Sequence, residues 1–319
     1  MPAVSLIADI GGTNARFAVA RDGRFDHLRV LPTGGFPSMQ AAAREYLAGL
    51  PGDLKVTRAA LDIAGPVSGD VVGLTNMSWS FSIAAARDEL GLTELRVLND
   101  FAATALGIPH LEPGDYMTVG GGTRVAHGTI AVIGPGTGLG VASLVHGTEG
   151  WVVVPGEGGH STMPPATREE SRILDLLRDR FGHVSAERVL SGQGIQNLYE
   201  AVCILSGQPS RGLSDREITA AALAGEDAIC EQVLDLFCAM LGTVAGNLAM
   251  TLGASGGAFI TGGILPRFAQ RFAASEFRNR FESKGRLSGF LQSIPTYLVT
   301  HSNPALVGLA SLGPTASPV

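Results

Sequence analysis

Short apolar runs that end in glycine turns alternate with segments of helical periodicity along the whole chain. The run over 4–10 leads through Gly11-Gly12 into a second run over 15–20, and this pair predicts a β-hairpin with a glycine turn. The other elements predicted before residue 100 are a strand over 26–31, a helix over 36–50, strands over 58–63 and 71–74, a short helix capped by Ser82 and ending at Gly91, and a strand over 95–98.

The opening pattern is repeated in the second half of the chain. A strand over 129–133 runs into a glycine turn over 134–140, and another strand follows. A shift of 124 positions aligns Gly12-Thr13 with Gly136-Thr137. The sequence therefore predicts two strand–turn–strand units with one architecture.

Helices dominate the sequence after the second unit. Two segments fit capping boxes, Thr167-x-x-Glu170 and Ser214-x-x-Glu217. An apolar stripe of helical spacing follows the first box, at Ile173, Leu174, Leu177 and Phe181. The last predicted elements are strands over 258–261 and 296–300 and an apolar helix over 304–312. Strands alternating with helices indicate an α/β fold with mixed sheets, and two glycine turns at strand ends suggest two sheets that face a shared ligand cleft.

One uncharged stretch, 236–266, is long enough to cross a membrane. It is interrupted by glycines and has no aromatic or basic anchors at its ends, so a buried helix followed by a buried strand explains it better. The start of the chain shows no basic segment followed by an apolar leader. We therefore expect a soluble, cytoplasmic protein without a membrane partner.

Composition narrows the functional classes further. Of the 319 residues, 45% are hydrophobic and only 16% are charged, which excludes disorder for most of the chain. The net charge is −6 and no cluster of Lys and Arg occurs, so we expect no nucleic-acid partner. Neither Lys55 nor Lys284 follows a glycine-rich loop, which excludes a P-loop. The three cysteines lack the spacing of a zinc site and are expected to be small buried side chains.

The segment from Asp9 to Asn14 is the first candidate for chemistry. It places a carboxylate at the end of a buried strand, then Gly11 and Gly12, whose N–H groups can approach a polyphosphate, then the hydroxyl of Thr13. A plain hairpin is the alternative. A hairpin gains nothing from a carboxylate whose desolvation needs a compensating cation or hydrogen bonds, so a phosphate and metal site is favoured.

Three further segments carry polar groups at element ends. Asn99-Asp100 follows a buried strand, and ligand binding and capping of the next helix are equally good explanations. Glu157-Gly158-Gly159-His160 sets a carboxylate and an imidazole in a flexible backbone, which favours ligand binding. Gly262-Gly263 ends a strand, and either a ring lying against the backbone or a simple turn explains it.

Taken together, these segments resemble the bacterial glucokinases of the actin-like sugar-kinase superfamily over essentially the whole chain. The matching motifs are Asp9-x-Gly11-Gly12-Thr13-Asn14-x-Arg16, Leu98-Asn99-Asp100-Phe101, Gly134-x-Gly136-Thr137-Gly138-Leu139-Gly140, Glu157-Gly158-Gly159-His160 and Gly262-Gly263-Ile264. The resemblance implies the actin-like ATPase (ribonuclease H-like) fold, with two α/β domains whose mixed sheets flank a cleft. It implies a small domain over 1–108 plus 301–319 and a large domain with helical insertions over 109–300.

The resemblance also implies an activity, which is ATP-dependent phosphorylation of D-glucose at its 6-hydroxyl. Asp100 would be the general base, and Asp9 would hold Mg²⁺, through water. The sugar would be held by Asn99, Glu157, His160 and Glu187. For Glu187 the assignment rests on the resemblance alone, because nothing in the neighbouring residues marks it as a ligand-binding residue. The nucleotide would be bound by Gly11, Gly12, Thr13, Asn14, Gly136, Thr137, Gly138, Gly262 and Gly263. The family pattern further implies a homodimer.

One departure from the wider superfamily is informative. The related repressor–kinase group carries a cysteine-rich zinc motif after its counterpart of His160, whereas Ser161-Thr162-Met163-Pro164 follows here. His160 is therefore expected to bind sugar and not zinc. The alternatives left open are a kinase for another hexose or N-acetylated amino sugar, a non-catalytic sugar sensor, and an actin-like ATPase. Trp79 is either a core aromatic or a residue near the sugar.

Overall fold

The computed structural model describes residues 4–74, 77 and 79–312. The chain divides into two compact units, one formed by 1–112 together with 301–319 and the other by 113–300. The second unit begins at residue 113, four residues after the predicted start of the large domain. The assignment of two functional domains stays a prediction.

The predicted elements are present in the predicted order, together with short strands and helices that were not predicted. The strands are β1 (Val4–Ile10), β2 (Asn14–Arg21), β3 (Arg24–Pro32), β4 (Val56–Ile63), β5 (Val71–Gly73), β6 (Ser80–Ser82), β7 (Glu94–Asn99), β8 (Tyr116–Gly120), β9 (Ile130–Pro135), β10 (Leu139–Gly147), β11 (Gly150–Gly156), β12 (Ala258–Ile260) and β13 (Thr296–Val299). The helices are α1 (Met39–Ala48), α2 (Ile83–Glu89), α3 (Asp100–Gly107), α4 (Arg168–Phe181), α5 (Gly192–Leu205), α6 (Asp215–Ala224), α7 (Ala228–Leu252), α8 (Ala269–Ala273), α9 (Phe277–Glu282), α10 (Ser288–Ser293) and α11 (Pro304–Ser311).

The first unit is built on a five-stranded mixed sheet with the order β3-β2-β1-β4-β7. β1, β4 and β7 are parallel, and β2 is antiparallel to both of its neighbours. Side chains alternate between the two faces of a strand. Leu6 and Leu61 therefore pack with the α1 side chains on one face, while Ile7 and Ala60 pack against α3 and α11 on the other.

The second unit repeats this plan. Its six-stranded sheet has the order β11-β10-β9-β12-β13-β8. The first five strands correspond one by one to β3-β2-β1-β4-β7, with the same antiparallel hairpin and the same two parallel neighbours. The repeat that was predicted from a few aligned glycines is thus present as strand topology.

The uncharged stretch is a core helix and a core strand, as predicted. α7 is long and apolar enough to cross a membrane, but 72% of its most apolar window is buried inside the protein. β12, which follows it, is buried throughout. Among the described residues the cysteines Cys203, Cys230 and Cys238 are free and buried, and burial raises the pKa of Cys238 to about 12. They therefore pack as small apolar side chains.

Two expectations about helix starts need correction. α1 begins at Met39 and not at 36, because Ser38 is its N-cap and accepts a hydrogen bond from the Ala41 N–H. The box predicted at Thr167 is only half formed. Thr167 caps α4, but the Glu170 carboxylate turns to Arg280 and to the Ala166 N–H instead of to the Thr167 backbone. The second box, Ser214 with Glu217, is complete as predicted.

Candidate active site

Asp9 lies at the carboxyl end of β1, on the sheet face that α3 and α11 cover. Strand register places it opposite Arg16 on β2, whose guanidinium donates to the Asp9 carboxylate at 2.9 Å. About a quarter of the Asp9 side chain is exposed (24%). Arg16 of the same hairpin therefore supplies part of the charge compensation that a carboxylate in this position needs. The Asp9 carboxylate is still accessible at the surface.

A second carboxyl group, which the sequence analysis missed, lies beside Asp9. Asp62 on β4 is in parallel register with Asp9, and its side chain is completely buried. Burial, followed by the negative charges of Asp9 and Asp100, raises the pKa of Asp62 well above its ordinary value. Neither Asp62 oxygen has a hydrogen-bond partner within the described structure, so nothing there compensates the burial of a charged Asp62 carboxylate. A signal existed, because Asp62 interrupts an apolar strand just as Asp9 does.

Asn99 and Asp100 share the start of α3, and the structure separates their roles. Asn99, not Asp100, is the N-cap, and its Oδ1 accepts from the N–H groups of Phe101 at 2.9 Å and Ala102 at 3.3 Å. Its amide nitrogen also donates to the Gly65 carbonyl at 3.2 Å. Asp100 is the first helical residue and is half-buried. The Asn99 side-chain oxygen therefore supplies the cap, so the cap of α3 does not depend on the Asp100 carboxylate.

The turn between β1 and β2 has a defined internal structure. The Gly11 N–H donates to the Asn14 carbonyl at 3.0 Å, so this group is committed to the hairpin. The carbonyls of Gly12 and Thr13 accept from Thr33, which anchors the turn from behind. Gly12 and Thr13 are exposed. Gly12 and Thr13 are therefore the most exposed residues of the predicted phosphate turn, whereas Gly11 and Asn14 are half-buried.

The corresponding turn of the second unit lies between β9 and β10. The Gly136 N–H donates to the Gly138 carbonyl at 2.8 Å, and the Gly136 carbonyl accepts from the Gly192 N–H at 2.9 Å. This second bond ties the turn to the first residue of α5. Thr137 at the tip is exposed. The aligned positions of the two units thus occupy equivalent turns.

Three predicted sugar-binding residues lie around the first residue of β10. Glu187 accepts a hydrogen bond from the Leu139 N–H at 2.9 Å. The turn that carries Glu157 and His160 packs against the Leu139 carbonyl through Gly159, where no side chain would fit. Glu157 and His160 themselves are exposed. The structure therefore brings Glu187 and the Glu157–His160 turn together, which spacing in the sequence could not show.

An open cavity of about 510 Å³ lies within the second unit. Gly136 and Thr137 line it, and so does Gly263, together with residues of α5 and α6. The volume suits a small-molecule ligand. Gly262 is instead a turn glycine, because its φ is +93° and its Cα faces the Pro135 backbone. The simple-turn explanation therefore applies to Gly262, while a ring lying against Gly263 stays a prediction.

Other candidates are settled by packing or by chemistry. Trp79 is 5% exposed and lies in the core of the first unit, with its indole N–H donating to the Phe36 carbonyl. Asn76 and Ser78, from the same segment, lie outside the described residues.

Across the described ranges, no three His, Cys, Asp or Glu side chains are arranged to enclose a metal ion. Mg²⁺ does not require such a cage, because it keeps several waters and binds one or two carboxylates plus substrate phosphates. The exposed part of the Asp9 carboxylate fits that mode.

The duplicated sheet plan, with a glycine hairpin turn in each unit and a cavity bordered by one of them, is that of the actin-like ATPase fold, a class of proteins with several functions. Within that class, the chain belongs to the glucokinase family, whose family profile matches residues 6–315.

Individual relatives agree along the full length. A glucokinase of Nitrobacter hamburgensis is 52% identical over 312 residues, which are 98% of this chain and 98% of that protein. A glucokinase of Paramagnetospirillum magneticum is 49% identical over 314 residues, again 98% of each chain. The crystal structure of a glucokinase from an Antarctic psychrotroph matches with a TM-score of 0.90 and 39% identity, covering 97% of this chain and 98% of that one. The predictions of the fold class and of a glucokinase, an enzyme of ATP-dependent glucose phosphorylation, are confirmed.

Proposed function

We propose that this chain transfers the γ-phosphoryl group of ATP to O6 of D-glucose, with Asp100 as the general base. The observation that carries the proposal is the position of Asp100, a half-buried carboxylate immediately after the carboxyl end of β7, whose neighbour Asn99 has taken over the capping of α3. A carboxylate at that place can orient a hydroxyl and accept its proton. Phosphoryl transfer needs mainly such positioning together with charge stabilisation.

The proposed reaction moves one proton and one phosphoryl group. The 6-hydroxyl of glucose gives its proton to the Asp100 carboxylate, and O6 forms a bond to the γ-phosphorus. The bond from that phosphorus to the β–γ bridging oxygen breaks, and ADP leaves with the electron pair. Asp100 then returns its proton to solvent. The Asp100 Oδ1 accepts a hydrogen bond from the Phe101 N–H at 2.8 Å, which helps to fix the orientation of the carboxylate.

We assign the sugar-binding role to Glu157, His160, Glu187 and Asn99. Exposed Glu157 and His160 can accept and donate hydrogen bonds to hydroxyl groups, which suits a polyol. Glu187 has one oxygen committed to the Leu139 N–H, so its other oxygen is the one available to a sugar. Asn99 retains one amide hydrogen beyond its three capping and loop contacts.

We assign the nucleotide to the two hairpin turns and to the 510 Å³ cavity. Backbone of Gly12, Thr13, Thr137 and Gly138 would face the phosphates, with Gly11, Asn14 and Gly136 holding the turns in shape. Asp9 would hold Mg²⁺ through its water ligands, and the ion would supply neutralisation of the phosphate charge. Gly263, which lines the cavity without a side chain, would lie near the adenosine, and Gly262 would hold its turn.

Several finer expectations belong to the same proposal. We expect a cytoplasmic protein that assembles as a homodimer, as the family pattern implies. The hydroxyl-binding residues do not by themselves distinguish glucose from other hexoses or from N-acetylated amino sugars. A non-catalytic sensor is disfavoured because Asp9 and Asp100 are both present.

A coupled assay for ADP release tests the function directly. Purified protein is mixed with MgATP and a panel of glucose, fructose, mannose, galactose and N-acetylglucosamine, and the product is identified by NMR. We expect the highest kcat/KM with glucose, phosphate on O6, and loss of turnover when EDTA exceeds Mg²⁺. Higher kcat/KM with another sugar would move the specificity to that sugar, and ATP hydrolysis indifferent to every sugar would contradict a sugar kinase.

A further inference from the structure

The cavity of the second unit contains one carboxylate that no assignment above uses. Asp215 is the first residue of α6 and lines the cavity together with Gly136, Thr137 and Gly263. About a quarter of its side chain is exposed (24%). A carboxylate is an unexpected group in a cavity assigned to a polyanion, because a phosphate close to it would be repelled. It must face a different part of the nucleotide.

Asp215 is held in a fixed position. Ser214 and Glu217 form the capping box that starts α6, so the backbone of Asp215 is set from both sides. Its Oδ2 accepts a hydrogen bond from Arg267 at 3.2 Å, and its carbonyl accepts one from the Thr219 hydroxyl at 2.7 Å. Oδ1 is the oxygen left to a ligand. A pre-positioned acceptor of this kind costs little ordering entropy on binding.

The distance from the phosphate turn indicates which group Asp215 meets. A Cβ on Gly192 would lie 3.6 Å from the Asp215 Oδ2 and 3.7 Å from the Gly136 carbonyl, so one glycine separates the carboxylate from the turn. The Gly192 N–H is bonded to that same carbonyl. If Gly136-Thr137-Gly138 binds the phosphates, the next group of the nucleotide is the ribose. Its two hydroxyls are donors, whereas a carboxylate is an acceptor, and acidic residues bind ribose hydroxyls in other nucleotide folds.

We propose that Asp215 binds the ribose hydroxyls of the nucleotide and makes the protein select ribonucleotides over deoxyribonucleotides. This inference rests on the proposed placement of the phosphates at the Gly136 turn. Arg267 orients the carboxylate and offsets its charge. The contact is the same before and during phosphoryl transfer, so it contributes to nucleotide affinity and not to the rate of the chemical step.

Nucleotide binding measured by calorimetry, without turnover, tests the inference. ADP, 2′-deoxyADP and 3′-deoxyADP are titrated into the wild-type protein, and we expect ADP to bind at least about tenfold more tightly than one of the deoxy forms, the loss typical of one charge-assisted hydrogen bond. Asp215→Ala should bind ADP as weakly as the wild type binds that deoxy form, so that the preference falls to about one.

The matched control is Glu231→Ala. Glu231 also lies in the first turn of a helix, α7, and pairs with an arginine, Arg271, but it does not line this cavity. It should keep the full ribose preference. Asp215→Asn, which preserves the shape and the helix start, replaces Asp215→Ala if the latter unfolds, and should lower the preference in the same way.

The outcomes separate this inference from the proposed function. A wild-type preference that survives in Asp215→Ala, an equal loss of all three nucleotides, or a wild type that does not discriminate would each overturn it. If the protein selects ADP through Asp215 but does not phosphorylate glucose, the ribose contact is supported and the proposed reaction is contradicted.

Discussion

Asp62 lies directly beside Asp9, one strand away and in parallel register, with its whole side chain buried. The two carboxyl groups differ in surroundings. Asp9 has Arg16 as its hydrogen-bonded partner, whereas Asp62 is affected by the charges of Asp9 and Asp100, which raise its pKa, and by the smaller effect of Arg16, which lowers it. A fully ionised cluster would be strongly destabilised, and a proton on Asp62 relieves it. The raised pKa of Asp62 therefore favours the neutral form of this acid next to the candidate catalytic carboxylates.

The pH dependence of stability should change when Asp62 is replaced by asparagine. The raised pKa means that folded Asp62 keeps its proton where the unfolded chain has lost it, so its contribution is fully present below the ordinary carboxyl pKa and is lost as the pH rises toward the folded value. Asp62→Asn should remove this pH-dependent loss of stability, which for one group is at most about 1.4 kcal/mol of unfolding free energy per pH unit. Urea unfolding between pH 4 and 8, without nucleotide or metal, measures it.

The control for Asp62 is Asp53→Asn in the exposed loop before β4. That variant should follow the wild-type pH profile. Equal slopes for Asp62→Asn and the wild type would mean that Asp62 is ionised in the folded protein.

Asp100→Asn should lower kcat by at least about 100-fold, because an amide cannot accept the proton of the sugar hydroxyl. The helix should still form, since Asn99 supplies its cap. Glucose binding, followed by calorimetry, should change little. Asp88→Asn, an exposed aspartate in α2, serves as the control and should keep wild-type kcat. Near-normal turnover by Asp100→Asn would refute the assignment of the base.

Gly159→Ala should raise the KM for glucose more than tenfold while leaving the KM for ATP within about threefold, since the added methyl meets the Leu139 carbonyl and displaces the turn that carries Glu157 and His160. Gly289→Ala in α10 provides the comparison, because its Cβ meets open space. Initial rates at varied glucose and varied ATP distinguish the two constants. An unchanged glucose KM would show that the turn takes no part in sugar binding.

Glu170→Ala should lower the free energy of unfolding by about 3 kcal/mol, because it leaves the half-buried guanidinium of Arg280 without its charged partner. Glu170 is 1% exposed and accepts from Arg280 at 2.8 and 3.1 Å. Asp175→Ala, which removes an exposed ion pair with Arg178 on the same helix, should cost less than about 1 kcal/mol. Equal losses in chemical denaturation would place the Glu170 pair among ordinary surface contacts.

Local patterns predicted the elements and the turns well. The hairpin at Gly11-Gly12, its repeat at Gly136-Thr137 and the buried α7 all follow from apolar periodicity and glycine position, which act over a few residues. Helix caps also depend on residues close in sequence, so the caps at Ser82 and Ser214 were predicted correctly. The role of Glu170 in a capping box was predicted wrongly, because its carboxylate binds Arg280, which lies 110 positions away, and not the Thr167 backbone.

The candidate site was predictable only where a motif carried it. Asp9 and Asp100 stand at strand ends next to glycine or a cap, and such positions can be recognised in a sequence. Asp62 holds the same next-to-last position in its strand as Asp9, but no Gly-Gly turn follows it, and its meaning depends on the strand that pairs with it. Glu187 and Asp215 depend on helices and turns that fold back from distant segments, so neither had a local signal.

The C-terminal helix α11 belongs to the first unit and packs onto α3 where Gly107 and Gly308 leave no side chain between the backbones. During synthesis, residues 113–300 must leave the ribosome before this helix exists. The second unit can therefore finish folding on the nascent chain, while one face of the first unit's sheet is covered only in part, by α3. A ribosome that stalls or terminates before residue 301 would release a chain whose earliest segment exposes apolar surface, a substrate for chaperones and proteases.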